Sequence, residues 1–167
     1  SIWTRKGSFA PGAVDMRRRD AVMDMMGVGR QLVFPTGVGL WGAYLVMNHD
    51  DMTNMPGIKT GRVEYGKELC KAYTDWAIGI RKVSKRMNFM LPLIADSVDE
   101  LMTNAHYLVD NGIRGVWLPS NLPPARKSPA HPDLDPFWKL MEDNNVTVSL
   151  HTGPDNPYRS MEWGNAP

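Results

Sequence analysis

A histidine ends the most strand-like stretch of the chain. Residues 146–153 read VTVSLHTG, in which β-branched and apolar residues run into His151 and then break at Thr-Gly. A neutral imidazole at a strand end is a good ligand for zinc or a similar divalent ion, and it can also act as a general base. It can equally be a hydrogen-bonded structural residue. The position of His151 therefore predicts a candidate metal site, with the other two roles left open.

The other three histidines lie in less favourable contexts. His49 precedes Asp50 and Asp51 in a polar loop, where the three side chains could surround an ion or simply face solvent. His106 lies inside a helical pattern, and His131 lies between prolines. We expect His106 on a helix surface and His131 in a turn.

Four short apolar runs, each ended by proline or glycine, organise the chain. They are residues 30–35, 88–94, 114–120 and 146–153. Such runs are typical of strands that are buried on both faces, as in parallel sheets. The segment 36–61, between the first two runs, is rich in Gly, Met, Asn and Asp and is expected to be a long loop.

Helical patterns separate the apolar runs. The clearest covers residues 98–109, with Asp96 or Ser97 as its N-cap and Gly112 just past its end. A second amphipathic pattern covers residues 69–83. Alternation of strand and helix predicts an α/β fold with a parallel sheet, either doubly wound or closed as a (β/α)8 TIM barrel.

A shorter helical pattern begins near Pro136, a residue that suits the first turn of a helix. Asp133 and Asp135 precede or open this pattern and are expected to cap it. Residues 22–26 form a further short apolar face before Gly27.

In either architecture, ligands bind at the carboxyl ends of the strands. Thr36, Ser120 and Asn121 follow predicted strand ends and are candidate substrate-binding residues, although ordinary turn residues often occupy such positions. Trp117 lies within a predicted strand and is expected to serve packing. No catalytic residue can be assigned from the sequence.

Composition favours a single domain that acts on a small molecule. The chain has 167 residues, 43% of them hydrophobic, which suits one domain over residues 1–167. Nineteen basic and eighteen acidic residues give a net charge of +1, so nothing favours nucleic acid or an anionic membrane as a partner.

The single cysteine, Cys70, suits a cytoplasmic protein. Complete dinucleotide or Walker phosphate-binding patterns are absent.

Five motifs in order resemble the amidohydrolase-related family, in the branch that includes aminocarboxymuconate-semialdehyde decarboxylase. The motifs are MDMMGVGRQLVFPT (23–36), YTDW (73–76), LPLIADSVDEL (91–101), GIRGVWLPS (112–120) and HPDLDPFWKLMEDNNVTVSLHTG (131–153). The resemblance implies a partial TIM barrel of the metal-dependent hydrolase type, about strands two to five with their helices. It also implies that His151 is a metal ligand, with zinc as the expected metal.

The same resemblance implies ligands that this sequence does not contain. The family carries a His-x-His or acidic-x-His pair on its first strand, a catalytic histidine on its sixth and a metal-binding aspartate on its eighth. We therefore expect the chain to be an internal fragment of such an enzyme, inactive by itself, because a zinc site needs three protein ligands. The chain could also form a homo-oligomer.

Two reactions are consistent with the family. Metal-bound hydroxide could hydrolyse an amide, ester or lactone, or the metal could hold a small carboxylate substrate that loses carbon dioxide without oxidation. The alternative of a different class is a non-catalytic half barrel that acts by self-assembly or binding, because a half barrel leaves sheet edges and an inner face uncovered.

Overall fold

The computed structural model describes residues 10–53, 55–120, 122–151 and 161–165, without the side chain of Val14. Helices and parallel strands form a mixed α/β fold. The helices are α1 (Pro11–Val14), α2 (Arg19–Met25), α3 (Val38–Met47), α4 (Arg62–Val83), α5 (Val98–Asp110) and α6 (Asp135–Asp143). The strands are β1 (Gln31–Val33), β2 (Met87–Phe89), β3 (Leu91–Pro92), β4 (Gly115–Pro119) and β5 (Thr147–His151).

The strands form two small parallel sheets that adjoin one another. One sheet pairs β1 with β2, and the other has the order β3-β4-β5. Met90 alone separates β2 from β3, and its N–H donates to the carbonyl of Val33 at 2.9 Å. The spatial order therefore follows the chain order, from β1 through the β2–β3 segment to β4 and β5. All four predicted strand positions are confirmed.

The two faces of the sheet have different neighbours. One face, here called the helix face, contributes alternate strand residues to the main core with α4, α5 and α6. These strand residues are Val33, Met87, Phe89, Leu91, Leu93, Val116, Leu118 and Val148. The opposite face, here called the inner face, carries Met90 and Trp117, which form a smaller core with Ala43 and Cys70.

Burial follows the position of each strand in the sheet. Every residue of β4 is buried, as expected for a strand covered on both faces. In contrast, β1 and β5 are edge strands among the described residues, and Leu32 of β1 is 59% exposed. The prediction of strands buried on both faces is therefore right for the centre of the sheet and wrong for its edges, which lack a neighbouring strand in the described ranges.

Helix α5 matches its predicted boundaries because its caps are local. The hydroxyl of Ser97 accepts a hydrogen bond from the N–H of Glu100 at 3.1 Å, which makes Ser97 the N-cap. In return, the Glu100 carboxylate accepts from the N–H of Asp96 at 2.8 Å, so the two side chains satisfy N–H groups at the start of the helix.

Two predictions about local structure are corrected. The segment 36–61 is not a loop throughout, because it contains helix α3. Asp133 and Asp135 do not cap α6, because its N-cap residue is Leu134 and no side chain caps the helix among the described residues. The Nδ1 atom of His131 instead accepts from the N–H of Asp133 at 3.1 Å, which gives His131 its expected turn role.

Helix α3 lies close to α4 because glycines face each other at the crossing. A Cβ atom at Gly42 would lie 2.8 Å from the carbonyl oxygen of Gly66, and a Cβ at Gly66 would lie 2.6 Å from that of Gly42. Ala43 of α3 then reaches Trp117 and Met90. Helix α3 thereby covers part of the inner face.

The sheet curves toward its inner face. The rings of Phe34, just past β1, and His151, at the end of β5, have centroids 6.2 Å apart. In a flat sheet, strands separated by two others lie about 14 Å apart, and their side chains stand perpendicular to the sheet. The contact therefore requires the carboxyl ends of the edge strands to approach each other.

Candidate functional site

His151 lies at the carboxyl end of β5, as predicted, and its side chain lies among aromatic rings. Its imidazole centroid is 4.9 Å from the ring of Trp117 and 6.2 Å from the ring of Phe34. The side chain is half-buried. Phe34 is 41% exposed, so solvent still reaches this end of the sheet.

The register of the strands explains why Trp117 and His151 meet. In the β4–β5 ladder, Trp117 is paired with Ser149 and Pro119 with His151. Residues two apart along a strand lie on the same face, so Trp117 and His151 are diagonal neighbours on the inner face. Sequence reasoning placed Trp117 only as a packing residue, although the same alternation along β4 and β5 could have predicted this contact.

Trp117 carries a buried indole N–H that is unpaired within the part of the chain that the structure describes. The residue is 1% exposed, and its indole N–H has no hydrogen-bond partner among the described residues. Buried indole N–H groups usually find a partner, and an unmet buried donor has a cost in stability. Trp117 therefore combines apolar packing under α3 with an N–H donor on the inner face that no described residue accepts from.

The predicted substrate-binding residues differ in exposure. Thr36 is exposed and follows the end of β1 by three residues. Ser120 is 3% exposed, directly after β4, so its hydroxyl is largely shielded from solvent. Asn121 lies outside the described residues. Thr36 and Ser120 both lie at the carboxyl side of the sheet, but neither side chain forms a hydrogen bond with His151 in the described part of the chain.

The described residues do not by themselves make a metal centre. No group of three His, Cys, Asp or Glu side chains lies close enough to hold an ion within the described ranges. The rings next to His151, those of Trp117 and Phe34, offer no metal ligand. A zinc site with three protein ligands would need two further donors at this position.

The polar loop around His49 has local structural roles. The Nε2 atom of His49 lies 3.5 Å from a carboxylate oxygen of Asp50, and both side chains are largely exposed. The Asp51 carboxylate accepts hydrogen bonds from the Tyr44 hydroxyl and, at 2.8 Å, from the N–H of Thr53. These contacts describe a hydrogen-bonded loop at the end of α3. His106 is exposed on α5, as predicted.

The motif residues of the first strand region stabilise the amino end of the sheet. The Gln31 side chain accepts from Arg19 Nε at 2.7 Å, and Asp24 accepts from Arg86 Nη1 at 2.7 Å. Arg86 also donates to the carbonyl groups of Val28 and Gly29, at 2.7 and 2.9 Å. These contacts tie α2 to the start of β1 and β2, at the opposite end of the sheet from His151.

A cavity of about 400 Å³ lies between α4 and α5, beside the carboxyl end of β3. Its lining includes Cys70 and Leu93 but not His151, Trp117 or Phe34. Burial raises the pKa of the Cys70 thiol to about 12, so this thiol is uncharged at neutral pH. Sequence reasoning missed the cavity because its walls come from elements that no local pattern brings together.

None of the described helices is long and apolar enough to span a lipid bilayer. In comparisons with known proteins, no family model matches the chain, and no curated protein matches it significantly.

Proposed function

We propose that the chain is the part of a (β/α)8 barrel that runs from the second to the fifth strand. The proposed enzyme is a metal-dependent member of the amidohydrolase-related group, which hydrolyses or decarboxylates a small carboxylate or carbonyl substrate. The observation that carries the proposal is the contact of His151 with both Phe34 and Trp117 on the inner face. It joins three strands at their carboxyl ends, where barrel enzymes place their active sites.

The order and curvature of the strands support a barrel over a doubly wound sheet. Neighbouring strands in space are also neighbours in the sequence, whereas a doubly wound sheet reverses its order at a switch point. The approach of Phe34 to His151 supports a sheet that bends toward closure. The fold alone does not choose a reaction, because one fold supports many activities.

In this proposal, an imidazole nitrogen of His151 would be one ligand of a divalent metal, with zinc expected. The chemistry that such an ion would supply is polarisation of a substrate oxygen or activation of water. Thr36 and Ser120 would line the substrate pocket near the same strand ends; Asn121, the third candidate, lies outside the described residues. Trp117 and Phe34 would limit the orientations of the imidazole ring. Since the described residues provide one ligand, the remaining ligands would come from elsewhere in a longer protein.

The proposal is tested in the full open reading frame that contains this segment. We expect that frame to encode a His-x-His or acidic-x-His pair upstream and a histidine and an aspartate downstream. In the purified full-length protein, His151→Ala should remove most of the bound zinc measured by plasma mass spectrometry. His106→Ala, on an exposed face of α5, is the matched control and should keep its bound zinc. Full zinc content in His151→Ala would refute the ligand assignment.

A second candidate function is a half-barrel module that assembles with another copy. The favouring observation is apolar exposure on the inner face, where Leu32 is 59% and Phe34 is 41% exposed. Edge strands with exposed apolar side chains are prone to pair with other chains. The 167-residue chain should then sediment as a dimer, and Leu32→Glu should shift it to monomer. A monomer at all concentrations would rule out this candidate.

A further inference from the structure

The cavity between α4 and α5 has the size and lining of a small-molecule site. Its volume of about 400 Å³ falls within the range of about 300 to 1,000 Å³ that is usual for ligand pockets. Apolar side chains from β3, its following loop and α5 form much of the wall. Leu93 and Leu108 are 1% and 3% exposed, and Pro92 and Ile94 adjoin them in the lining.

The lysines at this cavity are already paired with carboxylates. Lys67 Nζ lies 3.0 Å from a carboxylate oxygen of Asp96 and 2.8 Å from one of Glu100. Lys71 Nζ lies 2.6 Å from Asp75, which also accepts from the Tyr107 hydroxyl at 2.8 Å. An anionic ligand would have to compete with these carboxylates for each ammonium group, so the site disfavours anions.

Hydrogen-bond acceptors, in contrast, remain available in the lining. Glu68 lines the cavity, where the hydrogen bond to Asp75 and the negative charge of Glu68 both raise the pKa of Lys71. The Glu68 carboxylate itself forms no direct hydrogen bond or ion pair within the described part of the chain. The Asn104 amide donates to the carbonyl of Ile94 at 3.3 Å, which leaves the oxygen of this side chain as an acceptor. Tyr107, 44% exposed, adds an aromatic surface that can contact a cation.

We propose that this cavity binds a small amphipathic amine. The apolar body lies against Leu93 and Leu108, and the ammonium group lies among the acceptors of Glu68 and Asn104 and the ring of Tyr107. The shape of the cavity, the pairing of its lysines with carboxylates and the acceptor oxygens of Glu68 and Asn104 all favour a ligand that donates hydrogen bonds and carries positive charge. This inference is independent of the proposed enzyme function, because its residues do not include His151.

The test uses tyramine as the probe and 4-hydroxyphenylacetate as an anion of nearly the same size. Titration of the ¹⁵N-labelled 167-residue chain with tyramine should give saturable amide shifts at Thr103 and Asn104. We expect a dissociation constant of about 1 mM or tighter for a ligand of this size. The acid should bind at least about tenfold more weakly.

Two pairs of variants locate the binding. Thr103→Trp should fill the cavity and abolish the shifts, whereas His106→Trp, on the same helix but outside the lining, should retain them. Glu68→Gln should weaken tyramine binding about threefold, whereas Glu64→Gln, exposed on α4 away from the cavity, should not. Absence of saturable shifts, equal affinity for the acid, or unchanged binding to folded Thr103→Trp would overturn the proposal.

Discussion

The indole of Trp117 lies against the imidazole of His151, with ring centroids 4.9 Å apart and ring planes inclined by 45°. The two residues come from neighbouring strands and share the inner face of the sheet. A candidate metal ligand at the sheet edge is thereby in contact with one of the largest fully buried side chains of the core. Changes at Trp117 should consequently affect both stability and the orientation of His151.

We predict that Trp117→Ala lowers the free energy of unfolding by about 3 to 5 kcal/mol, because it leaves a cavity under α3. Trp117→Phe should cost less, since it retains an aromatic ring and removes the buried N–H that has no partner among the described residues. Urea denaturation, monitored by circular dichroism, measures the free energy of unfolding of both variants. Trp41→Ala is the control, because Trp41 is 40% exposed. If Trp117→Ala and Trp41→Ala lowered the free energy of unfolding equally, the assignment of Trp117 to the core under α3 would be contradicted.

The crossing of α3 and α4 depends on glycine at its contact point. Gly66→Ala should destabilise the fold by about 1 to 3 kcal/mol, because the new methyl group would lie 2.6 Å from the Gly42 carbonyl oxygen. Gly79→Ala lies in the same helix, and its new methyl group would lie more than 4 Å from the described atoms outside the adjacent helix backbone, so it should instead stabilise the fold by about 0.5 to 1 kcal/mol. Thermal and urea unfolding measure the stability of the two variants relative to the parent chain. If Gly66→Ala and Gly79→Ala changed the free energy of unfolding in the same direction, this would argue against close packing of α3 on α4.

The N-cap of α5 should contribute measurably to stability. Ser97→Ala removes the acceptor for the N–H of Glu100 and should lower the free energy of unfolding by about 1 kcal/mol. Ser97→Asp retains an acceptor and places negative charge near the helix N-terminus, so it should be nearly neutral. The midpoints of urea unfolding at neutral pH distinguish the Ala variant from the Asp variant. Equal destabilisation by Ala and Asp would show that the hydroxyl does not act as a cap.

Burial of Cys70 should make stability fall at alkaline pH. Burial raises the pKa of its thiol to about 12, above its usual value of 9.0, so the unfolded chain loses this proton first as pH rises. The folded state then binds more protons than the unfolded state between about pH 9 and 12, and the free energy of unfolding decreases by up to about 1.4 kcal/mol per pH unit. Urea unfolding from about pH 8 to about pH 10.5 measures this slope.

Cys70→Ala provides the control for that titration, because other groups also ionise in the same range. Tyr73 is one of them, since burial raises the pKa of its hydroxyl to about 12. The slope should be smaller in Cys70→Ala than in the parent chain. The native thiol should also react slowly with iodoacetamide at neutral pH. Identical slopes in the two proteins would indicate that the thiol is accessible in the folded state.

Local patterns were sufficient to predict most of the elements. Apolar runs ended by proline or glycine marked each strand region among the described residues, because strands of a parallel sheet are rich in apolar side chains. The start of α5 was recognisable because Ser97 and Glu100 satisfy the first N–H groups of the helix themselves. Such signals depend on residues a few positions apart, so they are visible without the fold.

Helix α3 was missed for a physical reason. Its sequence, VGLWGAYLVM, contains two glycines and has apolar residues on nearly every side, so it shows neither high helix propensity nor an amphipathic pattern. Its glycines are useful only after α4 lies beside it, where they permit the close approach of Gly42 and Gly66. The stability of α3 therefore depends on tertiary contact.

The sequence by itself determined that His151 ends a strand of a parallel α/β fold, because periodicity and strand-ending residues are properties of the local chain. It could not determine that Trp117 and Phe34 would be its neighbours, nor that a cavity would open between α4 and α5. Those relationships arise from strand register, sheet curvature and helix packing. They depend on the burial of side chains from distant segments in one core, which only the tertiary structure decides.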